Sequence, residues 1–477
     1  MNTTYDVRLW AIREHKGKDR TTGKARSTYR VRWLVAGEEF GETFQTRALA
    51  ESFRAKLITA QREGVAFDVA SGLPEPMARE LNSRSWLEHA IAYVDMKWPG
   101  SSAHHRKGIA ETLTGATMAL LSSTGRSPVP DATLRRALGT YLFVKPRRDA
   151  GPPPDGLATA VAWLHKNTVK IAALEEAALV RKVLDALALK LDGTAAGAST
   201  VARKRAVFSG TLRHALEEGH LNSHPMKRVK WIAPKKDDAI DRRQVANPDQ
   251  ADRVLAAVRT KWPELAAMYE SMYRAGLRPE EALGLLKHQY ERPKVEGEWG
   301  WLHLGGATTE VGTAWTDDGK VHEHRPLKHR SKDTVRPVPA EPALCRALDW
   351  HIENFPPGLD GRLFVTRRGP GGKYKPTRGQ PVTANARSNA WRAAREAALT
   401  PDELAAGIAP DPYSLRHACV STQLNAGVSP TLVAEWAGHS IAVLFKIYAK
   451  CLYGEEKEAF RRMDAFRAGQ AATLRAA

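Results

Sequence analysis

Strand-like alternation is confined to two short stretches of this 477-residue chain, and that confinement limits its fold more than any other feature. The first is Thr28-Tyr29-Arg30-Val31-Arg32-Trp33-Leu34, where Tyr, Val and Trp alternate with Arg at the period of a half-buried strand. Glu39 to Phe44 is its expected partner, entered through a turn at Gly37. The second stretch runs from about 299 to 340 and holds several short strands. Elsewhere apolar residues recur at helical spacing: Ala48, Phe53, Leu57 and Ile58 within 47–62, Trp86, Ala90, Ile91, Tyr93 and Val94 in the next helix, then an Ala/Leu-rich run from Ala158 through Leu191. So little alternation excludes one large sheet. The expected fold class is multidomain, mainly α with small β-sheets.

Breaks in composition divide the chain. Gly, Pro and Ser crowd the stretch around 64–83 (SGLPEPM), and Pro152-Pro153-Pro154 interrupts the later helices, because proline has no N–H to give. A helix over Ser199–Glu218 carries Arg203, Lys204, Arg205 and Arg213. The stretch 226–243, MKRVKWIAPKKDDAIDRR, holds seven basic and three acidic residues, a poor core and a good strap along a phosphate backbone. Asn247-Pro248-Asp249 then reads as a helix start, with Val254, Leu255 and Val258 as its apolar stripe. The expected order is a small β-sheet plus helix domain at 1–70, an all-helical domain at 84–225, a basic linker at 226–243, a mixed α+β domain at 244–455 and a tail at 456–477.

Charge narrows the partner. Lys and Arg number 72 against 53 Asp and Glu, a formal +19 that attracts polyanions, nucleic acid first. Arg30 and Arg32 on the alternating strand, Arg203 and Lys204 on the helix, and Lys227, Arg228, Lys230, Lys235 and Lys236 in the strap are the expected DNA contacts. Each also reads as an ordinary solvated charge. The three cysteines, Cys345, Cys419 and Cys451, form no CxxC pair and suit a reducing cytosol rather than a disulfide framework or a zinc site. No run of about 18 apolar residues occurs, and MNTTYDVRLWAIREHKGKDR lacks the apolar stretch of a signal peptide. The expectation is a soluble protein of the cytosol, acting on DNA and not on membranes.

Four stretches of the C-terminal half could carry phosphate chemistry. In Tyr273-Arg274-Ala275-Gly276-Leu277-Arg278-Pro279-Glu280-Glu281, Gly276 permits a tight turn and Arg278 falls near the start of the next helix, where a guanidinium can grip a phosphate. Pro326-Leu327-Lys328-His329-Arg330-Ser331-Lys332 is a basic turn between strands, followed by an expected strand at Val335–Pro339. In Asp411-Pro412-Tyr413-Ser414-Leu415-Arg416-His417, a helix places Tyr413, Arg416 and His417 on one face. Trp436-Ala437-Gly438-His439-Ser440 precedes Tyr448 by nine residues from the histidine. Two arginines, a lysine, a histidine and a tyrosine are what metal-free phosphoryl transfer from DNA requires. Tyrosine supplies the nucleophile, guanidiniums offset charge on the non-bridging oxygens, and lysine protonates the leaving 5′ oxygen. There is no GxxxxGK[ST], no HExxH and no clear acidic set for two Mg²⁺ ions, which disfavours ATP-driven enzymes and metal-assisted nucleases.

From about residue 240 to 455 the sequence resembles the tyrosine recombinases, and within them the integrases of phages and mobile elements. AGLRPEEALGL resembles the first arginine box, which implies Arg278. PLKHRSK resembles the segment of the β-hairpin lysine and implies Lys328, with Lys332 a neighbouring candidate. YSLRHACVSTQLNAGVSPTLVAEWAGHS resembles the second box and implies Arg416, His439 and the nucleophile Tyr448. One position departs: the family's histidine three residues before the second arginine is Tyr413. A phenol can hydrogen-bond a phosphate oxygen but is a poor base near neutral pH, so a positioning role is expected.

The resemblance further implies an arm-site DNA-binding domain at 1–70, a core-binding domain at 84–225 and a tyrosine recombinase catalytic domain at 244–455. It implies integration and excision through a 3′-phosphotyrosyl link with no cofactor and no metal. A resolvase or transposase of the same family, or a decayed DNA-binding protein, are the competing readings. The implied partners are double-stranded attachment sites, a homotetramer on DNA, a host DNA-bending protein and an excision factor. Phe460, Met463 and Phe466 would give the tail an apolar face, for a neighbouring subunit or for its own domain.

Overall fold

The structure, a computed structural model, describes every residue except 1, 19–24, 123–126, 236–240, 328–333, 368–378, 449–459, 462, 465–466 and 468–477. The chain divides into two compact units, Met1–Lys235 and Lys236–Ala477.

The first unit opens with β1 (Thr3–Thr4), β2 (Val7–Leu9), β3 (Arg13–Lys18), β4 (Ala25–Val35) and β5 (Glu38–Phe44), followed by α1 (Arg47–Arg62). β4 is the central strand. β5 lines one edge of it, with Trp33 opposite Phe40, and β2 and β3 share the other, with Leu9 opposite Trp33 and Arg13 opposite Arg30. The expected alternation is present: Val31, Trp33 and Val35 are buried while Arg30 is exposed. Ala36 and Gly37 join β4 to β5 with φ of 51° and 86°, the double positive pair of a turn whose twist matches the strands. Thr46 caps α1, whose Ala50 and Leu57 close over the sheet with Phe53 against Trp33. A short β6 (Phe67–Asp68) pairs back on β1.

Helices make up the rest of this unit: α2 (Glu75–Asn82), α3 (Trp86–Lys97), α4 (Ala103–Ala119), α5 (Asp131–Ala137), α6 (Lys145–Asp149), α7 (Asp155–Lys166), α8 (Ala177–Leu187) and α9 (Ala198–Glu217). Ser85 and Glu88 form a reciprocal cap at the start of α3. The three prolines stand just before α7, where a missing N–H costs nothing. Residues 226–235 do not hang free. Arg181 of α8 donates to the Lys230 carbonyl at 3.1 Å, and the Trp231 indole donates to Asp185 at 2.8 Å.

The second unit contains α10 (Pro248–Lys261), α11 (Pro263–Arg274), α12 (Pro279–Leu283), β7 (Tyr290–Glu291), β8 (Gly300–Leu304), β9 (Gly306–Glu310), β10 (His322–Pro326), β11 (Arg336–Ala340), α13 (Pro342–Asn354), α14 (Ala384–Ala398), α15 (Pro401–Ala405), α16 (Tyr413–Asn425), α17 (Pro430–Ala437) and α18 (Ile441–Tyr448). Asn247 and Gln250 cap α10 as expected, and Val254, Leu255 and Val258 face the core. α11 is the axis of this unit: every residue from Glu264 to Tyr273 is buried. A carboxylate so placed needs cations, and Glu270 has Arg259 at 2.5 Å and Arg274 beside it.

The strands differ in one respect from the sequence expectation. β11 begins one residue later than the expected Val335–Pro339 strand, and it pairs with β8 in the sheet β11-β8-β7, whereas β10 pairs with β9. β10 and β11 therefore belong to two different sheets, and residues 328–333 between them lie outside the described residues. The hairpin turn lies between β9 and β10, and it carries Lys320, ion-paired to Asp318 at 3.0 Å. Alternation alone locates strands; it does not say which neighbours pair. Among the described residues no helix is long and apolar enough to cross a membrane.

Candidate active site

Four segments of the second unit converge. The α11–α12 turn supplies Arg278, the N-cap residue of α12. Its guanidinium donates to Glu281 Oε1 at 2.7 Å and to the Gly438 carbonyl at 2.9 Å. Helix α16 supplies Tyr413, Arg416 and His417 one turn apart. Arg416 is fully buried and donates to the carbonyls of Gly276 and Ala437, and to His439 Nε2 at 2.8 Å. The α17–α18 turn supplies Gly438 and His439, and the last residue of α18 is Tyr448.

Gly438 makes this turn possible. It closes α17 with φ of +63°, and the amide of His439 reaches back to the Ala434 carbonyl, which satisfies the helix end. A Cβ at Gly438 would collide with the Arg336 guanidinium and press on that of Arg278. Two cations can therefore crowd the backbone here only because the residue is glycine.

One carboxylate organises those cations. Glu281 is buried and accepts both forks of Arg336, at 3.0 and 2.7 Å, besides Arg278. Burial opposes its charge, but Arg336 above all, then Arg278 and Arg416, hold its carboxyl down to about 2. Burial likewise works against the charge of Arg278; Glu281 and the Tyr413 hydroxyl outweigh it and raise its pKa. For Arg416 the balance goes the other way: burial and then the charge of Arg278 outweigh Glu281 and lower it.

Burial keeps the histidines neutral. Together with Arg416 and then Arg278, it pushes His439 down to about 3. Its Nε2 accepts the Arg416 proton, so the ring carries its own proton on Nδ1. That Nδ1, and Nε of Arg416, are buried donors without an acceptor among the described residues. Burial and then Arg416 bring His417 to about 4. Its Nδ1 lies 2.9 Å from the Tyr448 hydroxyl, and a neutral ring can accept that proton. Tyr413 packs edge-on against His417, and Tyr448 sits between the His417 and His439 rings at centroid distances of 5.7 and 6.1 Å.

Arg278, Arg416, His439, Tyr448 and Tyr413 thus share one site. Lys328 and Lys332 lie outside the described residues. Two participants, Glu281 and Arg336, were not among the sequence candidates, and a third, His417, was placed on the candidate helix face without a role. His417 shares the α16 face with Tyr413 and Arg416, and that spacing was its signal. Glu281 reads as ordinary helix-start chemistry, and Arg336 as a strand residue; only the fold reveals their pairing.

The expected DNA contacts are unevenly free. Arg30 is exposed, but Arg32 pairs with Glu39 at 3.3 Å and lies over the Trp10 ring. Arg203 and Lys204 both reach Glu111, at 3.2 and 3.9 Å. Lys227, Arg228, Lys230 and Lys235 are exposed, and Lys236 lies outside the described residues.

No protein-family model matches this chain, and no curated protein matches it. Solved structures do. The Tn1549 transposon integrase in complex with a circular intermediate DNA is 13% identical, over 67% of this chain and 97% of that one, with a TM-score of 0.42. A lambda integrase tetramer bound to a Holliday junction is 14% identical, over 87% and 89%, with a TM-score of 0.40. The XerH site-specific recombinase bound to its difH substrate is 12% identical, over 76% and 95%, with a TM-score of 0.40. Likenesses this distant assign no side chain a role.

Proposed function

We propose that this chain is a site-specific tyrosine recombinase, an enzyme that cuts and rejoins DNA to integrate and excise a mobile element. The observation that carries this reading is the convergence of Arg278, Arg416 and neutral His439, with unpaired buried donors, beside the hydroxyl of Tyr448. Such a cradle suits a phosphodiester whose charge grows as phosphorus becomes five-coordinate.

In this reading Tyr448 Oη attacks the phosphorus, and its proton passes to His417 Nδ1. The P–O5′ bond breaks, the 5′ oxygen takes a proton from Lys328, and the 3′ end stays on the tyrosine. The 5′ hydroxyl of the partner strand then attacks that link and restores a phosphodiester. Bond count is conserved, so no nucleotide is consumed. Arg278 and Arg416 neutralise the non-bridging oxygens, His439 donates through Nδ1, and Tyr413 holds Arg278. The first unit and the basic stretch 226–243 would grip attachment-site DNA, and exchange between two duplexes calls for four subunits.

The test is covalent capture. Full-length protein is incubated with duplexes from the DNA flanking the gene, each nicked near the candidate crossover. The reading expects a protein–DNA adduct that Tyr448→Phe abolishes while binding persists. Binding without an adduct on any flanking duplex would sink it and favour a decayed DNA-binding protein.

A further inference from the structure

A second cluster of titratable groups lies in the first unit and takes no part in the chemistry above. His89 of α3 is fully buried. Its Nε2 is 3.0 Å from the Thr211 carbonyl, an acceptor only, so the ring's proton is on Nε2 and the Nδ1 lone pair is bare. That Nδ1 is buried with no hydrogen-bond partner, and it faces Glu218 Oε2 at 3.3 Å. His220 Nε2 lies 3.5 Å from the same oxygen, and His214 Nε2 lies 3.6 Å from the other. One donor atom each of His89, Glu218 and His220 fall within 4.8 Å of one another.

These separations are long for an imidazolium–carboxylate hydrogen bond, which closes to about 2.7–2.9 Å. The two separations to Glu218 Oε2, 3.3 and 3.5 Å, are close to a tetrahedron's edge, roughly 3.3–3.4 Å when metal–donor bonds are about 2.0–2.1 Å. Fixing a ligand's tautomer through the far nitrogen of the ring is also how metal-bound histidines are held, and Thr211 does that for His89. The nearby cation is Arg84, half-exposed and 3.6 Å from the same Glu218 Oε2, so it has to yield that oxygen to the ion.

We propose that His89 Nδ1, Glu218 and His220 Nε2 bind a zinc ion, with His214 Nε2 or water completing four-coordination. Imidazole and carboxylate suit Zn²⁺ better than Mg²⁺ or Ca²⁺, which prefer oxygen alone. The ion fastens the start of the helical region, on α3, to the end of α9. It plays no part in strand exchange.

The test uses untagged full-length protein, dialysed against Zn²⁺ and then against zinc-free buffer. Metal content is read by mass spectrometry and stability by thermal melting with and without chelator. Wild type is expected to retain one zinc per chain, to melt lower once stripped, and to give the visible spectrum of a four-coordinate site with Co²⁺. His220→Ala, outside any helix, and Glu218→Gln should keep the helical circular dichroism and bind zinc at least about tenfold more weakly. Wild type that retains no zinc, or variants that retain it as wild type does, would overturn the site. A zinc-free wild type that loses less melting temperature than Glu218→Gln as the pH falls would show instead that Glu218 is held by imidazolium rings.

Discussion

In the proposed reaction Glu281 and His417 would set the chemistry that the arginines and tyrosine perform, although neither has an assigned role in the chain as written. Removing one partner from a buried, hydrogen-bonded ion cluster costs about 3–5 kcal/mol, so Glu281→Gln should lower unfolding stability by that order in denaturant melts. It should also release Arg278 and Arg336 and abolish adduct formation. His417→Ala should leave DNA affinity unchanged and slow adduct formation by roughly 10²-fold or more, the usual contribution of a positioned proton acceptor. Unaltered kinetics in that variant would remove His417 from the mechanism.

Stability should follow these groups in acid. His417, His439 and buried His351 have folded pKa values lowered to about 4, 3 and 4, from an unfolded value near 6.5. Between 6.5 and those values the unfolded chain binds protons that the native one refuses, so stability falls with falling pH. Glu281, held to about 2, adds its own loss below its unfolded value of 4.5. Denaturant midpoints should therefore drop from pH 7 to pH 5, and less so in His351→Phe, which removes a group remote from Tyr448.

Turns rather than helices decide how the elements place these residues. Gly438→Ala combines a positive φ with a collision against Arg336, so a loss of about 1–3 kcal/mol is expected, with loss of cleavage. Sequence reasoning served the helices well because their caps and apolar stripes are local: Asn247 before α10, and the alternation of β4, need no tertiary information. Arg278, Arg416, His439 and Tyr448 were legible because their spacing resembles a family. Strand partnership was not legible. Nothing near Pro326 says that β10 turns to β9 while β11 joins β8, since pairing is settled by contacts far apart in sequence. The pairing of Glu281 with Arg336, 55 residues away, escaped for the same reason.

Across the whole molecule, the surplus of +19 predicts binding that weakens steeply with salt. Replacing Lys227, Arg228, Lys230 and Lys235 together by Gln should reduce the slope of log affinity against log salt by about 3–4, roughly 0.9 for each phosphate no longer neutralised. An unchanged slope would take that stretch off the DNA. Stability, too, is unevenly distributed. Tyr448 belongs to a small cluster with Val420, Val433, Ala434, Ala437 and Leu444, set apart from the large core around α11. Its ring is 1% exposed, while Ile441, Val443 and Phe445 on the same helix stand in solvent. If Tyr448 is the nucleophile of the proposed reaction, it cannot stay so enclosed when it meets phosphorus, and the cluster that encloses it is the smaller one. α18 is thus expected to open without the rest of the unit unfolding, and its amides to exchange with deuterium far sooner than those of α11. The rate of that opening would then set an upper limit on how fast the protein can cut.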